Sequence, residues 1–515
     1  MNHITPTLRA APAFHDRWNN LGELTPSGLD PNRLALTDLR DPHRSRSFTH
    51  GDVEALAAGV ASALTARGLP RGARVAILSL NRAEYIIAYF GIMRAGLVAV
   101  PVNIKLPPDT IDYVLRDSGA LFAFTDAERV PLAGRLPVID FDDAGLEGWS
   151  ATIRPTHFDT VLAEDADVAQ MLYTSGSTGV PKGVPLSHAG QLWALSVRAQ
   201  ERAEDERFIL AQPLFHMNGL FMTKTAFAQG SAVVVLPGFE ARTYAEALAH
   251  HRITTLTAVP TMFARVIKET ELLRTLDFSA LKRIGLGSAP ITLGLIERIR
   301  ATFPAAVVGH GYGTTEAGPA VFGPHPPGVA PPALALGYPV PGCEVRLVGG
   351  SDTEGVLWMR NPAVMTGYHN LPERSAKVLH DGWYDSGDVM RTDADGFFFF
   401  MGRADDMFVC AAENIYPAEV EKLLESHPAI QQACVVPLAE EERGQVPVAF
   451  LVLRPGATLD AAAVKHHSLA HGPAYQHPRR VEFLPDLPWA GTNKIDRKAL
   501  IERARGLEQD SGWAA

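Results

Sequence analysis

The segment from Tyr173 to Val184, YTSGSTGVPKGV, combines glycines, hydroxyl side chains and a lysine. Glycines let a backbone approach a ligand closely, hydroxyl groups donate hydrogen bonds, and Lys182 adds a mobile positive charge. This composition predicts a loop that holds phosphate groups, although SGSTG alone is more typical of a flexible connector. It is not a Walker A loop, because Lys182 lies between Pro181 and Gly183. The candidate phosphate-binding residues are Thr174, Ser175, Gly176, Ser177, Thr178, Gly179 and Lys182.

A second segment, GYGTTEAGP, starts at Gly311 and follows the predicted strand AVVGH. Tyr312 offers a flat face for a base, and Thr314 and Thr315 offer donors for a phosphoryl group. Glu316 offers an oxygen ligand for Mg²⁺, which is usually held by few protein carboxylates together with phosphate oxygens. A strand-to-turn transition explains the glycines without a ligand. A carboxylate at the carboxyl end of a parallel strand, however, lies where such sheets usually bind ligands.

Three later segments carry charges in short polar stretches. YDSGD at 384–388 and GRADD at 402–406 read as acidic turns, and GTNKIDRKAL at 491–500 places Lys494 in a polar turn before a predicted helix. In isolation each is typical of a solvated surface. Their order along the chain, after the two glycine-rich segments, is the informative observation.

Alternating strand and helix patterns must position these segments. From Arg71 to about residue 330, apolar runs such as ARVAILSL and LVAVPV alternate with helical patterns such as EYIIAYFGIMRAG, which predicts an α/β region with doubly wound parallel or mixed sheets. A stretch rich in proline and glycine then precedes the strands of a β-rich subdomain. We therefore expect a large N-terminal domain of residues 1–403 and a small, mobile α+β domain of residues 404–515.

The composition excludes several classes of protein. The chain has 515 residues, of which 20% are charged and 46% hydrophobic, with a formal net charge of −10; these values disfavour disorder and nucleic-acid binding. Any phosphate ligand is expected at a local site. The three cysteines lack metal-binding spacing, and no apolar run is long enough for a signal or a membrane span. We expect a soluble cytoplasmic protein without zinc; an N-terminal transit segment is the alternative.

The segments in this order resemble the signature motifs of the ANL superfamily of adenylate-forming enzymes, which comprises acyl-CoA synthetases, adenylation domains of non-ribosomal peptide synthetases and luciferases. YTSGSTGVPKGV resembles its phosphate-binding motif, GYGTTEAGP its TE-containing motif, YDSGD with GRADDM its ribose and hinge motifs, and GTNKIDRKAL the loop of its C-terminal catalytic lysine. The resemblance runs from about Phe48 to Leu500. It implies that a carboxylate attacks the α-phosphate of ATP to give an acyl-adenylate and pyrophosphate, and that a thiol then attacks the adenylate carbonyl.

The resemblance implies roles at the phosphates. The loop from 174 to 182 holds the β- and γ-phosphates, Thr315 and Lys494 meet the α-phosphate, and Glu316 binds Mg²⁺. Negative charge builds on the α-phosphoryl oxygens and on pyrophosphate during the first step, so preorganised donors and cations are needed there. The implied catalytic residues are Lys494, Thr315, Glu316, Lys182 and His216.

The resemblance also implies how the nucleoside is held. Asp388 accepts the two ribose hydroxyls with Arg403 beside it, and Asp405 is the hinge about which the small domain turns. Two turns flank the base and the α-phosphate, and their residues are Ser288, Ala289 and Pro290 in one and Gly311, Tyr312, Gly313, Thr314 and Thr315 in the other.

One departure from the family pattern concerns the thiol step. Family members commonly have a glycine pair where this chain has Ala411 and Ala412. Ala412 is implied to lie beside the CoA tunnel, and an added methyl group narrows that path. We expect unchanged adenylation and a second step that survives, because alanine is the smallest possible addition; whether thioester formation is slower stays open.

The acid site is implied around PLFHMNG at 213–219. His216 matches the histidine beside the carboxylate in acyl- and aryl-CoA ligases, although a helix start explains it equally well, and Asn218 is a candidate for a substrate hydroxyl. No acidic residue occurs between Ala211 and Lys224, which disfavours an α-amino acid. The remaining substrate candidates are small and leave room for an aliphatic, hydroxy or aromatic monocarboxylate: Gly285, Gly287 and Gly311.

We therefore predict an AMP-forming carboxylic acid–CoA ligase that uses ATP, Mg²⁺ and coenzyme A, as a monomer or homodimer. Transfer to a carrier-protein phosphopantetheine would be a close variant of this reaction, and the lack of a carrier domain in the chain favours CoA. The sequence also leaves open a luciferase-like oxygenase and a non-catalytic nucleotide-binding homologue. The non-catalytic homologue is disfavoured by the intact Glu316, Asp388, Arg403 and Lys494.

Overall fold

Two sheets form the centre of the α/β region in the computed structural model. The structure describes residues 18–41, 44–143, 145, 148–175, 180–198, 206–289, 291, 293–323, 329–410, 413–440, 444–474, 476–490 and 495–509. With strands numbered in chain order, the first sheet contains β1 (Leu34–Asp38), β2 (Arg46–Thr49), β9 (Arg207–Leu210), β10 (Ala232–Val235), β11 (Thr255–Ala258), β12 (Arg283–Leu286) and β13 (Val307–His310). Their order is β13-β12-β11-β9-β10-β1-β2, and only the β1–β2 pair is antiparallel.

The second sheet has the order β6-β5-β3-β4-β7-β8. Its strands are β3 (Arg74–Leu78), β4 (Val98–Pro101), β5 (Ala120–Thr125), β6 (Val138–Asp140), β7 (Val168–Ser175) and β8 (Pro181–Ser187). The sequence predicts β7 but not β8, which pairs antiparallel with β7. PKGVPLS forms a strand despite its two prolines because β8 lies at the sheet edge, where proline is tolerated.

Helices cover both sheets. They are α1 (His50–Ala66), α2 (Ala83–Arg94), α3 (Pro108–Ser118), α4 (Trp149–Thr152), α5 (His188–Arg198), α6 (Met217–Ala228), α7 (Ala241–His250), α8 (Pro260–Val266), α9 (Thr270–Leu273) and α10 (Leu293–Thr302), with a 3-10 helix at Ala127–Ala133. Every residue of α2 is buried, because this helix contacts strands of both sheets. Its sequence, AEYIIAYFGIMR, is apolar on nearly all sides, as a helix between two sheets requires.

An antiparallel sheet follows, in the order β16-β17-β19-β18 with β20 beside β19. Its strands are β16 (Glu344–Val348), β17 (Glu354–Arg360), β18 (Leu379–His380), β19 (Trp383–Thr392) and β20 (Phe398–Arg403); β14 (Phe322–Gly323), β15 (Tyr338–Pro339) and the short helix α11 (Pro372–Ser375) accompany it. The prediction that YDSGD forms a turn is wrong, since it lies inside β19. Tyr384, Ser386 and Asp388 alternate as buried residues, which is the pattern of a strand.

The C-terminal part has its own hydrophobic core. Its elements are β21 (Phe408–Cys410), β22 (Glu413–Ile415), α12 (Pro417–Glu425), β23 (Ile430–Glu440), β24 (Gly444–Leu453), α13 (Ala461–His471), β25 (Arg480–Phe483) and α14 (Arg497–Gln509). Residues 404–407 connect it to β20. The expected fold class, a large N-terminal α/β domain with a smaller C-terminal domain, is confirmed; the mobility of the small domain stays a prediction. In the described part of the chain, no helix is long and apolar enough to cross a membrane.

Candidate active site

Asp388 and Arg403 lie opposite each other on β19 and β20, where the strand register pairs them. Arg403 Nη1 donates to Asp388 Oδ1 at 3.0 Å, and the Tyr312 hydroxyl donates to the other carboxylate oxygen. Asp388 is buried. Gly387 has a φ of +66°, and a β-carbon there would lie 2.9 Å from Arg403 Nη2, so glycine is needed. We define these four residues as the Asp388 corner.

The charges in the Asp388 corner are matched. Asp405 accepts Arg403 Nε and Nη2 at 2.8 and 3.1 Å. Burial opposes the charge of Arg403, but the hydrogen bonds and charges of Asp405 and Asp388 outweigh it and raise the pKa of Arg403. Burial also raises the pKa of Asp388, and Arg403 and Tyr312 oppose that shift. A carboxylate fixed by two donors is preorganised to accept ligand hydroxyls.

Glu316 contacts a tyrosine that the sequence does not single out. The Tyr368 hydroxyl donates to Glu316 Oε1 at 3.0 Å, and Lys182 Nζ lies 4.1 Å from the centre of the same ring. Burial lowers the pKa of Lys182, and the charge of Glu316 opposes that shift. A single tyrosine ring therefore holds together a cation and a carboxylate from separate segments of the chain.

Tyr384, the first residue of YDSGD, completes this arrangement. It is buried, and its hydroxyl interacts with that of Tyr368. Burial raises the pKa of Tyr384, and the charges of Glu316 and Asp388 raise it further. The charges of Glu316 and Asp388 therefore both act on Tyr384, which places the two carboxylates in the same neighbourhood.

The turn that carries Thr315 and Glu316 is closed by its own hydrogen bonds. The Thr314 amide donates to Gly318 O at 3.1 Å, and Thr314 Oγ1 accepts the Ala317 amide at 2.9 Å. The Thr314 hydroxyl is therefore used inside the turn. The Thr315 hydroxyl takes no part in these bonds and suits a ligand contact.

The described parts of the phosphate segment are the paired ends of β7 and β8. Thr174 lies opposite Lys182 in the register, and its hydroxyl oxygen is buried without a hydrogen-bond partner in the described part of the chain. Buried hydroxyls normally have partners, so this atom fits a site for ligand oxygens. Ser175 ends β7. The remaining predicted residues of this loop lie outside the described residues: Gly176, Ser177, Thr178 and Gly179.

Four glycines, two on neighbouring strands and two just beyond the strand ends, face the same side of the first sheet. Gly285 on β12 pairs with Gly309 on β13, and Gly311 donates its amide to Leu286 O at 2.8 Å just beyond. Leu286 packs into the core with α7, α8 and α10, so the glycines face the opposite side, where α5 and α6 lie. A β-carbon at Gly309 would meet nothing within 4 Å. We define Gly285, Gly287, Gly309 and Gly311 as the glycine face.

The start of α6 approaches this face. His216 precedes the helix as its N-cap residue. Asn218 accepts the Thr257 hydroxyl at 2.9 Å and donates to Ser288 Oγ at 3.2 Å. Ser288 has a φ of +64°, a left-handed conformation that is costly for serine. Asn218 therefore joins the predicted acid site to the predicted adenine turn, and Thr257, on the paired strand β11, is a contact that the sequence does not indicate.

The structure thus brings Lys182, Glu316, Asp388 and Arg403 together. Ala289 and Gly313 lie in the two turns predicted to flank the base and the α-phosphate, and Asp405 lies in the link to the C-terminal part. Pro290, Ala412 and Lys494 lie outside the described residues, so their roles stay predictions.

Comparison with known proteins identifies the family. Residues 28–369 match the AMP-binding enzyme family, and residues 419–494 match the C-terminal domain of AMP-binding enzymes. The chain belongs to the AMP-binding enzyme family. Feruloyl-CoA synthase from an Amycolatopsis species is 33% identical to this AMP-binding enzyme over 467 residues, covering 88% of this chain and 93% of that protein.

Two further matches agree with this family. The fatty acid–[acyl-carrier-protein] ligase ScoC from Streptomyces coeruleorubidus is 32% identical over 483 residues, covering 90% of this chain and 92% of that protein. The crystal structure of the anthranilate CoA ligase AuaEII in complex with anthranoyl-AMP has a TM-score of 0.84 at 26% identity, covering 97% of this chain and 100% of that one. The resemblance to the ANL superfamily is confirmed: this AMP-binding enzyme is an AMP-forming acid–thiol ligase of the aryl- and acyl-CoA ligase type.

Proposed function

We propose that this ligase activates an aryl or acyl carboxylic acid with ATP and transfers the acyl group to the thiol of coenzyme A, with its charged residues in the roles described below. The observation that carries these roles is the convergence of Lys182, Glu316 and the Asp388 corner around Tyr368 and Tyr384. A protein that only bound a nucleoside would need an acceptor for the ribose. It would not need a cation and a carboxylate placed together for a phosphate chain.

The first step needs positive charge where the phosphate chain becomes more negative. A carboxylate oxygen of the acid bonds to the α-phosphorus, the bond to the bridging oxygen breaks, and pyrophosphate leaves with the electron pair. Lys182 and the hydroxyls of Thr174 and Thr315 hold the phosphate oxygens, and Lys494 stabilises the α-phosphoryl group. Asp388 fixes the ribose so that the phosphorus stays in line with the attacking oxygen.

Glu316 suits a magnesium ion. Tyr368 donates to Oε1 alone, which leaves Oε2 to serve as an oxygen ligand, the donor type that Mg²⁺ prefers. Mg²⁺ bound there supplies charge neutralisation to the phosphate oxygens. Tyr368 holds the carboxylate in a fixed direction and keeps Lys182 on its ring, close to the carboxylate.

The second step needs access for a thiol. The named relatives include both a CoA synthase and a carrier-protein ligase. We propose free CoA as the acceptor, with Ala412 beside its path and Asp405 in the hinge. We also propose a cytoplasmic monomer or homodimer, which the three buried cysteines fit, because none of them forms a disulfide and that compartment is reducing.

The test is a panel of acids with purified protein, ATP and Mg²⁺. Pyrophosphate should appear only with some acids, and AMP with a thioester only after CoA is added. Lys494→Ala should slow the first step about 10²- to 10³-fold. Ala412→Leu should spare the first step and stop the second. Thioester formation only on a holo carrier protein would favour a carrier-protein ligase, and oxygen consumption with light would favour a luciferase-like reaction.

A further inference from the structure

Arg198 ends α5, and its guanidinium group lies at the glycine face. A β-carbon built on Gly311 would lie 3.5 Å from Arg198 Nη2. Helix α5 packs on the side of the sheet that the glycines face, the same side from which Asn218 of α6 reaches Thr257. The guanidinium therefore projects into the groove in which the acid site is predicted.

No group in the described part of the chain neutralises this guanidinium. Arg198 forms no hydrogen bond, ion pair or ring contact there, and burial, without an opposing carboxylate, lowers its pKa. Two other arginines that lie wholly or partly out of solvent are paired: Arg82 contacts Glu84 at 2.7 Å, and Arg403 contacts Asp388 at 3.0 Å. Withdrawing a cation from water without a partner costs free energy. A ligand oxygen would supply the partner that the described residues do not.

The positions of Gly311 and Thr315 favour the end of the acid remote from its reacting carboxyl group as the part that reaches Arg198. In the proposed function, the reacting carboxyl group lies at the α-phosphate beside Thr315. Arg198 Nη2 lies beside Gly311, which directly follows β13 and precedes Thr315 by four residues. The Asn218 amide is already bonded to Thr257 and Ser288, whereas Arg198 has a planar set of five N–H donors without acceptors among the described residues.

We propose that Arg198 binds an oxygen acceptor at the end of the acid remote from its reacting carboxyl group. The preferred substrates are then carboxylic acids that carry a second acceptor, with a carboxylate favoured over a hydroxyl or keto group and these favoured over hydrogen. This inference rests on the proposed function, because it assumes that the groove holds the acid. Arg198 is a specificity-determining residue in this assignment and takes no part in bond formation.

The experiment uses acids that differ only at the remote end. One aromatic series is 4-carboxycinnamate, 4-hydroxycinnamate and cinnamate; one aliphatic series is adipate, 6-hydroxyhexanoate and hexanoate. Acid-dependent ATP–pyrophosphate exchange measures kcat/KM for adenylation alone. In at least one series, the wild-type protein should favour the diacid over the unsubstituted acid by about 10- to 100-fold, the range of one charge-assisted hydrogen bond.

Two variants separate recognition from folding. Arg198→Met should bring the ratio of diacid to unsubstituted acid close to one and change kcat/KM for the unsubstituted acid by less than about threefold. Arg198→Lys should keep part of the preference, because it keeps the charge and loses the planar fork. Thermal unfolding of Arg198→Met should occur at or above the wild-type temperature, because the variant removes a charge without a protein partner in the described part of the chain.

The possible failures are distinguishable. An equal loss on every acid in Arg198→Met overturns the inference, since it places the guanidinium at the reacting carboxyl or in a structural role. A wild-type protein that adenylates acids with no preference for a remote acceptor also overturns it and leaves the proposed function intact. Failure to adenylate any acid of a wide panel overturns the proposed function, and this inference with it.

Discussion

The Asp388 corner and the glycine face each hold an arginine, but in opposite electrostatic settings. Arg403 contacts two carboxylates that raise its pKa despite burial, whereas burial lowers the pKa of Arg198, which contacts none in the described part of the chain. The ribose of ATP brings hydroxyl groups and needs an acceptor that is already in place. An acid brings its own charge, so the site proposed for it offers space and a donor that has no acceptor among the described residues. The first proposed assignment therefore rests on contacts that are present, and the second on a contact that Arg198 does not make within the described residues.

The largest effect is expected from a substitution in the Asp388 corner, where the contacts are already formed. Asp388→Asn should lower kcat/KM for ATP in pyrophosphate exchange about 100-fold or more, because two hydrogen bonds from the ribose would lose an ionised acceptor. The exposed Asp352→Asn is the matched control and should behave as wild type.

The same variant can be checked with 2′-deoxy-ATP. The wild-type enzyme should lose much of its kcat/KM when the hydroxyl is removed from the nucleotide, whereas Asp388→Asn should lose little more. If both proteins lose equally, the carboxylate does not read the ribose and the Asp388 corner is only structural.

A second prediction concerns the helices beside the glycine face. Lys224 of α6 is fully buried and donates to Gln191 Oε1 of α5 at 2.7 Å, and burial lowers its pKa to about 7. In the unfolded chain this amine keeps its ordinary pKa near 10.5. Between these values the unfolded state binds the proton and the folded state does not, so the free energy of unfolding should rise as pH rises.

Lys224→Met tests this sign. Between pH 7 and pH 9, the free energy of unfolding should rise by about 2 to 3 kcal/mol more in the wild-type protein than in the variant. This is the effect of a difference of one bound proton between the unfolded and folded states over two pH units. Urea unfolding at several pH values measures the difference. If the free energies of unfolding of the two proteins changed with pH in parallel, Lys224 would stay charged in the folded protein. The cation beside the glycine face would then keep its charge despite burial, as Arg403 does in the Asp388 corner.

A third, smaller effect tests how Glu316 is held. Tyr368→Phe should lower kcat/KM for adenylation about 10-fold and raise the Mg²⁺ concentration for half-maximal rate, because Glu316 loses one hydrogen bond while Lys182 keeps the ring. Tyr368→Leu removes the ring as well and should cost several-fold more through the lost cation–π contact. If Tyr368→Phe and the wild-type protein depended on Mg²⁺ identically, the Tyr368 hydroxyl would have no part in positioning Glu316 for the proposed metal ion.

The fold was predictable where buried elements consist of continuous apolar residues. Strands buried on both faces read as continuous apolar runs, and α2 reads as an apolar helix, because both lie inside the α/β region. Strand β8 was not predictable, because its two prolines normally argue against a strand and are tolerated here only at the sheet edge. The prediction of a turn at YDSGD was wrong because its acidic and glycine residues are typical of loops. In the structure, Asp388 is buried on β19 and pairs with Arg403 on β20.

The site was predictable where a motif carries the functional group itself. Glu316, Asp388, Arg403 and Lys182 lie in recognisable segments. Tyr368, Thr257 and Arg198 do not, because each comes to lie beside the candidate site only when distant segments pack together. A tyrosine in a loop or an arginine at a helix end has no local feature that separates it from a surface residue.

The smallest expected effects compare one glycine from each region. Gly387→Ala should lower the free energy of unfolding by about 1 to 2 kcal/mol, because alanine is strained at a φ of +66° and its β-carbon crowds Arg403. It should also raise the KM for ATP several-fold. Gly309→Ala should change stability by less than about 0.5 kcal/mol, since its added methyl group meets open space.

The two variants should also divide by substrate. Gly309→Ala places a methyl group on the glycine face, so it should leave the KM for ATP unchanged and alter only the relative rates among acids of different width. Gly387→Ala should leave that ranking of acids unchanged. If Gly309→Ala destabilised the protein or weakened ATP use, the glycine face would be packed against other parts of the chain. The open groove, and with it the contrast to the tightly packed Asp388 corner, would then be wrong.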